Sequence, residues 1–229
     1  GVAGSSGIYA GQTGGVSAGS CAHVSPVSIA SQDTSPQGIA FSNDGTKMFI
    51  VGNTGDDINE YTLNGAFCIG TASFVDSFSI ANQDDTPEDI SFNKSGTKMF
   101  AVGNSGQDVN EYTLGIGFDV STASFVDSFS VSGHETNPQS IAFSKYGTKM
   151  FIVGYGSQGV NEYKLGTAWD VSTASFVDSF SVKSQETNPT SIWFDGSGKT
   201  MFIIGIAGDD VNVYKLSTAW DVSTASFVS

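Results

Sequence analysis

The sequence predicts an all-β protein, a β-propeller of four near-identical, four-stranded antiparallel blades. Two observations predict it: a repeat with a constant period, and the strand pattern inside each period. A unit that recurs every 51 residues with almost no insertion indicates one supersecondary motif stacked on itself, and a period near 50 residues suits a four-stranded blade. The markers of the repeat are Pro36, Pro87, Pro138 and Pro189; Phe49, Phe100, Phe151 and Phe202; and Tyr61, Tyr112, Tyr163 and Tyr214.

The first two strands of each copy are short and apolar. In the copy that starts at Pro36, the run GIAFS (38–42) ends at the turn signal NDG (43–45). The run TKMFIVG (46–52) then holds four consecutive apolar residues, as expected for a strand covered on both faces by neighbouring blades. We therefore expect one inner-strand phenylalanine per blade to be buried between blades: Phe41, Phe92, Phe143 and Phe194.

The third and fourth strands are more polar than the first two. The third, INEYTL (58–63), mixes apolar and polar positions, and the fourth, TASFVDSFSI (71–80), carries an aspartate at its middle. A charge within an outer strand disfavours edge-to-edge aggregation, which places this strand at the outside of the blade. The aspartates are Asp76, Asp127 and Asp178.

The segments PQGIAFSNDGTKMFIVG (36–52) and PQSIAFSKYGTKMFIVG (138–154) resemble the YVTN and NHL-type β-propeller repeats. The resemblance covers residues 36–229. It implies propeller architecture and is weak for function, since such repeats occur in surface-layer, adhesion and enzymatic proteins alike. The fourth copy departs from the pattern, with GKTMF (198–202) in place of GTKMF.

The domain organisation predicted is a Gly/Ser-rich N-terminal arm at 1–22 and a propeller at 23–229, with repeats that begin near 36, 87, 138 and 189. The two ends of the propeller hold complementary halves of one fourth strand, HVSPVSI (23–29) and TASFVS (224–229). An N-terminal strand is expected to complete the ring within the chain, or to complete a blade of a neighbouring copy. A faint echo of the repeat at 7–15 leaves five blades as an alternative.

The composition limits the partners. The chain has 23 acidic residues and 9 basic residues, all lysine, for a net charge of −14. A chain without arginine lacks the phosphate-binding groups of nucleic-acid proteins, and no apolar run is long enough to span a membrane. The partners expected are further copies of the chain, in a homo-oligomer or filament built through the N-terminal arm, and glycans.

Two cysteines depart from the repeat. Cys68 replaces the aspartate found at the matching positions of later copies, and Cys21 precedes the N-terminal strand. A Cys21–Cys68 disulfide at one rim of the ring is favoured over two free thiols. It implies an oxidising setting, extracellular or at the cell surface.

No catalytic motif is visible. The two histidines occupy unrelated repeat positions, and no nucleophile–His–acid order or phosphate loop occurs. Because the blades are nearly identical, we expect a non-catalytic structural or adhesive module without metal or cofactor. The alternatives are a multivalent lectin with one site per blade and, third, a propeller hydrolase or lactonase. The candidate glycan contacts are Asn110, Glu111, Asn161, Glu162, Trp169 and Trp220, weighed against a structural reading in which each Asn bonds backbone and each Glu faces solvent.

Overall fold

A computed structural model, which describes residues 4–5 and 26–229, has the predicted all-β fold, a four-bladed propeller. Each blade is a four-stranded antiparallel sheet whose strands follow chain order from inside to outside. The only helices described are four three-residue 3-10 turns before the outer strands, and none of them is long enough to cross a membrane. The strands are β1 (Gly4–Ser5); β2 (Pro36–Phe41), β3 (Lys47–Gly52), β4 (Asp57–Thr62) and β5 (Ser73–Ser79) in blade 1; β6 (Pro87–Phe92), β7 (Lys98–Gly103), β8 (Asp108–Leu114) and β9 (Ala123–Ser130) in blade 2; β10 (Pro138–Phe143), β11 (Lys149–Gly154), β12 (Gly159–Leu165) and β13 (Ala174–Ser181) in blade 3; and β14 (Pro189–Phe194), β15 (Thr200–Gly205), β16 (Val211–Leu216) and β17 (Ala225–Phe227) in blade 4.

The core lies between successive blades, as the doubly apolar strands predict. Phe49 of blade 1 packs against Phe92 of blade 2 with ring centroids 4.5 Å apart. The same pair of positions meets at the next two junctions. The prediction for the inner-strand phenylalanines is confirmed for Phe92, Phe143 and Phe194, whereas Phe41 is half-buried.

Every inner strand has a β-bulge at its second residue. In blade 2, Pro87 pairs with Gly103 and Asp89 with Val102, which leaves Glu88 as the extra residue. The other inner strands shift register at the same place. A bulge re-aims one side chain out of the regular alternation. One residue per blade is thus released from the sheet register at the end where the inner strands begin.

An ion pair between a partly exposed lysine and a buried glutamate of one blade hydrogen-bonds to the backbone of the next, and so joins blades 1 to 2, 2 to 3 and 3 to 4. In blade 2, the Lys98 ammonium lies 2.5 Å from the Glu111 carboxylate, and Lys98 also donates to the backbone oxygen of Trp169 in blade 3. The second carboxylate oxygen of Glu111 accepts from the backbone nitrogen of Val171, also in blade 3. Blade 4 carries Thr200 and Val213 at the two positions, so both partners change together. The departures seen in the fourth repeat are therefore one coupled change.

The closing strand expected at the N-terminus is not formed among the described residues. Residues 26–29 belong to no strand. Val27 and Ile29 pack against the face of blade 1 that is turned away from blade 2. β17 pairs with β16 alone and covers only its second half. Val211 at the start of β16 is 57% exposed, while Val160 at the same position of blade 3 is fully buried in the core shared with blade 4. Blade 4 presents an open apolar face.

Part of the N-terminal arm lies against the chain's own inner strand. β1 pairs in parallel with β2, where Gly4 is opposite Gly38. The remainder of the arm, with Cys21 and the echo at 7–15, falls outside the described residues. The predicted contact between the arm and a neighbouring copy therefore stays a prediction.

Candidate functional site

The repeat breaks where it matters most for chemistry, at the inner ends of the blades. We define the inner rim as the bulged residue of each inner strand together with the first residue after each second strand. The strands of the repeat are largely conserved between blades, whereas the pair of residues at the inner rim differs from blade to blade. Its members are Gln37 and Asn53, Glu88 and Asn104, Gln139 and Tyr155, and Thr190 and Ile206.

Glu88 lies in a chain of side-chain hydrogen bonds that crosses from blade 2 to blade 3. The Asn104 side-chain amide donates to Glu88 Oε1 at 2.6 Å. The Gln139 side-chain amide donates to Asn104 Oδ1 at 3.4 Å and to Asn137 Oδ1 at 2.8 Å. The chain fixes the amide orientations and holds the half-buried Glu88 carboxyl in one place.

Glu88 titrates near neutrality. Burial, followed by the neighbouring carboxylates of Asp84 and Asp89, raises its pKa to about 7, against an opposing hydrogen bond from Asn104. Burial disfavours the charged form, and like charges nearby add to that effect. A carboxyl with this pKa can both accept and return a proton at physiological pH, which is the requirement for general acid–base work.

Asn53 gives a second reason for a protonated Glu88. Its Oδ1 is buried and has no hydrogen-bond partner within the described part of the chain. Gln139 lies 35 residues after Asn104 in sequence and donates to it, and Glu88 lies 35 residues after Asn53, so Glu88 and Asn53 occupy the matching positions of blades 2 and 1. A protonated Glu88 supplies the donor that a buried acceptor needs, whereas a carboxylate does not.

Asp89, the residue after Glu88, links the inner strands of blades 2 and 3. It is fully buried on β6, and its Oδ2 accepts from the Ser140 hydroxyl at 2.7 Å and from the Ile141 backbone nitrogen at 3.1 Å. Blade 1 has Gly38 at this position, with no room for a side chain because an added Cβ would lie 2.9 Å from the backbone of Asp89. The carboxylate therefore joins β6 to β10 and adds negative charge beside Glu88.

Tyr155 contributes a phenol on the blade 3 side. Burial, followed by the carboxylates of Glu88 and Glu186, raises its pKa. Tyr155 therefore remains a neutral hydrogen-bond donor at pH values where Glu88 ionises. The rim of blades 2 and 3 thus combines a titrating carboxyl, two amides and a phenol.

The glycan contacts predicted from the sequence are placed elsewhere. Asn110, Glu111, Asn161 and Glu162 are buried in the third strands, within the blades. Asn110 donates to Asp108 and Asn161 to the Ser157 hydroxyl, both side-chain partners and not backbone. The expectation that the glutamates face solvent is wrong, because each is about 1% exposed and ion-paired to a lysine.

Trp169 and Trp220 cover glycines at the opposite end of the blades from the inner rim. Each ring lies on the turn between the first two strands, where a Cβ added at Gly147 or Gly198 would overlap it. Trp169 also packs on Phe143 with centroids 5.1 Å apart, and Trp220 packs on Phe194 at 5.2 Å. The structure therefore does not bring these tryptophans together with the inner rim.

Cys68 is buried, and its thiol is not free. Because Cys21 lies outside the described part of the chain, the Cys21–Cys68 pairing stays a prediction. Among residues 26–229 no cluster of three or more His, Cys, Asp or Glu side chains is arranged to hold a metal ion.

Sequence reasoning missed Glu88, Asp89, Asn104 and Tyr155. The signal was present as a departure from the repeat: Gln37, Gln139 and Thr190 show that Glu88 is not required by the blade, and Gly38, Ser140 and Ser191 show the same for Asp89. The near-identity of the blades favours residues that recur in each copy, whereas a single catalytic site is formed by residues that occur in one copy only.

No protein-family model matches the chain, and no curated protein matches it by sequence. Solved structures do match its fold. A protein of Bacteroides uniformis with the provisional name 6-phosphogluconolactonase superposes with a TM-score of 0.59 at 16% identity, over 90% of this chain and 57% of its own. A protein of Bacteroides fragilis with the same provisional name has a TM-score of 0.60 at 13% identity, with the same coverage.

The periplasmic gluconolactonase of Pseudomonas aeruginosa superposes with a TM-score of 0.56 at 13% identity, over 85% of this chain and 52% of its own. The chain thus spans little more than half the length of these structures. At such identities the likeness establishes the propeller fold.

These structures correct the expected function. The prediction of a non-catalytic structural or adhesive module, and with it the prediction that the chain is not an enzyme, is contradicted by neighbours named as lactonases. It rested on the near-identity of the blades, and the inner rim is the place where that identity fails. The third alternative, a propeller hydrolase, agrees better with the findings.

Proposed function

We propose that this chain is a propeller hydrolase that opens sugar lactones, with Glu88 as its general base. The observation that carries the proposal is the Glu88 carboxyl, released by a β-bulge onto the inner rim with a pKa of about 7. The names of the structural neighbours support the substrate class. We further propose that the repeats are of the YVTN or NHL type. We also propose that the protein is located outside the cytoplasm, which the periplasmic neighbour supports.

The proposed reaction follows from the groups on the rim. The Glu88 carboxylate takes a proton from a water molecule while the water oxygen attacks the lactone carbonyl carbon. The oxyanion that forms accepts a hydrogen bond from a neutral donor, for which the Tyr155 phenol is the candidate, since the Gln139 amide already donates to Asn104 and Asn137. The ring carbon–oxygen bond then breaks, and the protonated Glu88 returns the proton to the leaving oxygen, which gives the hydroxy acid.

The test is hydrolysis of glucono-δ-lactone, followed by proton release and corrected for spontaneous opening. Glu88→Gln keeps the shape of the side chain and removes the base, so we expect a loss of about 100-fold or more. Wild-type kcat/KM is expected to rise with pH through about 7, because the carboxylate is the active form.

The matched control is Asp127→Asn, an equivalent change on the exposed outer strand β9, which is expected to retain wild-type activity. A wild-type protein without activity above the spontaneous rate on a panel of aldonolactones would overturn the proposal. Equal activity of wild type and Glu88→Gln would remove Glu88 from the mechanism.

A further inference from the structure

We propose that the inner rim accepts uncharged sugar lactones and rejects phosphorylated ones, an inference that rests on the proposed function and adds its substrate class. It is carried by the distribution of charge along the propeller axis. We call the end where the inner strands begin the rim end. It holds the loops before the inner strands and the loops between the second and third strands.

The rim end is almost purely acidic. Its described loops hold eight carboxylates against two basic side chains: Lys183, which is exposed beside the outermost strand β13, and His134, which stacks on Phe176. Glu88 and Asp89 add two more carboxylates on the inner strand. The loop carboxylates are Asp33, Asp56, Asp84, Asp85, Glu135, Glu186, Asp209 and Asp210.

The lysines lie at the other end. Lys47, Lys98 and Lys149 begin the second strands, and each is paired with a buried glutamate. A second strand of six residues separates them from the rim by about 16 Å at about 3.3 Å per residue. No arginine exists in the chain, so among residues 26–229 the exposed Lys183 is the only lysine or arginine at the rim end that could bind a phosphate group.

Backbone donors at the rim end are already in use. Backbone N–H groups of loops can bind an anion where no cationic side chain is available. Here Glu135 accepts from the backbone nitrogens of Gly156 at 2.7 Å and Ser157 at 3.0 Å, and Glu186 accepts from Gly208 at 3.0 Å. Asp33 and Asp84 fill the corresponding loops of blades 1 and 2.

The described residues contain no α-helix whose N-terminus could offer a further anion site. Apart from Glu88 and Asp89, the polar groups of the rim are neutral: the Tyr155 phenol, the Thr190 hydroxyl, and the amides of Asn104 and Gln139, which hydrogen-bond to each other and to their neighbours. Amides and hydroxyls both donate and accept, as the hydroxyl groups of a sugar require. The chemistry of the rim therefore fits a neutral polyol ring and opposes a phosphate dianion.

The experiment compares kcat/KM for glucono-δ-lactone and its 6-phosphate at low and at high ionic strength. We expect the unphosphorylated lactone to be preferred at least tenfold at low salt. Added salt should raise kcat/KM for the phosphorylated lactone and leave the other unchanged, because screening relieves only the charged substrate. Equal or faster hydrolysis of the phosphorylated lactone at low salt overturns the inference.

A pair of charge-reversal variants locates the effect. Asp85→Lys alters an exposed residue of the rim end, and Asp127→Lys makes the same charge change on outer strand β9. Only Asp85→Lys is expected to raise kcat/KM for the phosphorylated lactone, by about threefold or more, with no change for the neutral one. Equal effects of the two variants would attribute the selectivity to net charge and overturn a role for the rim.

Absence of any hydrolysis would defeat the proposed function, and the charge selectivity is then tested by binding. Glucose and glucose 6-phosphate are added to labelled protein while the side-chain amide NMR signals of Asn104 and Gln139 are followed. Shifts with glucose, weaker with glucose 6-phosphate, support a neutral sugar site. Stronger shifts with glucose 6-phosphate, or no shifts with either sugar, overturn it.

Discussion

Glu88 couples the stability of the fold to pH. Its ordinary pKa of 4.5 rises to about 7 in the folded protein, so the folded state holds a proton that the unfolded state loses first. The stability associated with this proton is complete below pH 4.5 and is lost as the pH rises to about 7. Ionisation of Glu88 at neutral pH therefore lowers the free energy of unfolding.

Glu88→Gln is expected to be more stable than wild type above pH 7, because the neutral amide removes the buried charge. The difference in melting temperature should shrink as the pH falls and vanish below pH 4.5, where wild-type Glu88 becomes protonated in both states. Calorimetric scans from pH 4 to 8 check this, with Asp127→Asn as the control. A difference that does not vary with pH would place the origin of the effect elsewhere.

The turn glycines explain why aromatic residues recur at Phe67, Phe118, Trp169 and Trp220. Gly147 has a φ of +67° and lies under the Trp169 ring. Gly147→Ala meets both a strained backbone and the indole, so we expect a loss of more than about 1 kcal/mol in the free energy of unfolding. Gly133→Ala is the control, since nothing lies within 4 Å of an added Cβ there, and is expected to change stability by less than about 0.5 kcal/mol. Denaturant titration of both variants measures the contrast, and equal losses would contradict it.

Among the strands, identical sequence positions differ in burial according to what covers them. Val160 of β12 is fully buried between blades 3 and 4, whereas Val211 of β16 is 57% exposed on the open face of blade 4. The Lys–Glu pair is absent from blade 4 for a related reason, which is the lack of a following blade to bind among the described residues. In blades 1 to 3 the glutamate binds a backbone nitrogen of the following blade, and for Val213 the structure describes no such neighbour.

Val160→Ala is expected to cost about 2 kcal/mol, because it removes methyl groups from a packed core. Val211→Ala at the matching position is expected to cost less than about 0.5 kcal/mol, because the side chain is mostly in water already. Urea denaturation of the two variants gives the comparison. Comparable losses would mean that the face of blade 4 is covered in solution.

At the scale of the whole molecule, the sequence predicts a disulfide between Cys21 of the N-terminal segment and Cys68 of blade 1. Non-reducing and reducing peptide maps are expected to differ by one linked peptide that contains Cys21 and Cys68. Both thiols should resist alkylation in the unreduced protein. Two alkylated cysteines without reduction would contradict the bridge, and a linked peptide found only in a dimer would make it intermolecular.

The sequence by itself determined the repeat, the strands and the core. Strand pattern and turn signals are local, and a period of 51 residues repeats them four times, so Phe92, Phe143 and Phe194 could be placed between blades before any coordinates. The polar outer strands could be placed in the same way, since alternation and charge are read within a few residues.

Only the tertiary structure decided the site and the limits of the ring. Asn104 lies 16 residues from Glu88 and 35 from Gln139, and these three meet because bulged inner strands of adjacent blades converge on one rim. The pKa of Glu88 depends first on burial, which no local pattern encodes, and then on the carboxylates of Asp84 and Asp89, which are close to it in the sequence. The burial of Glu111, which one reading of the sequence placed in solvent, and the exposure of Val211 likewise depend on which blade lies alongside, because burial is a property of neighbours in space and not of positions in a repeat.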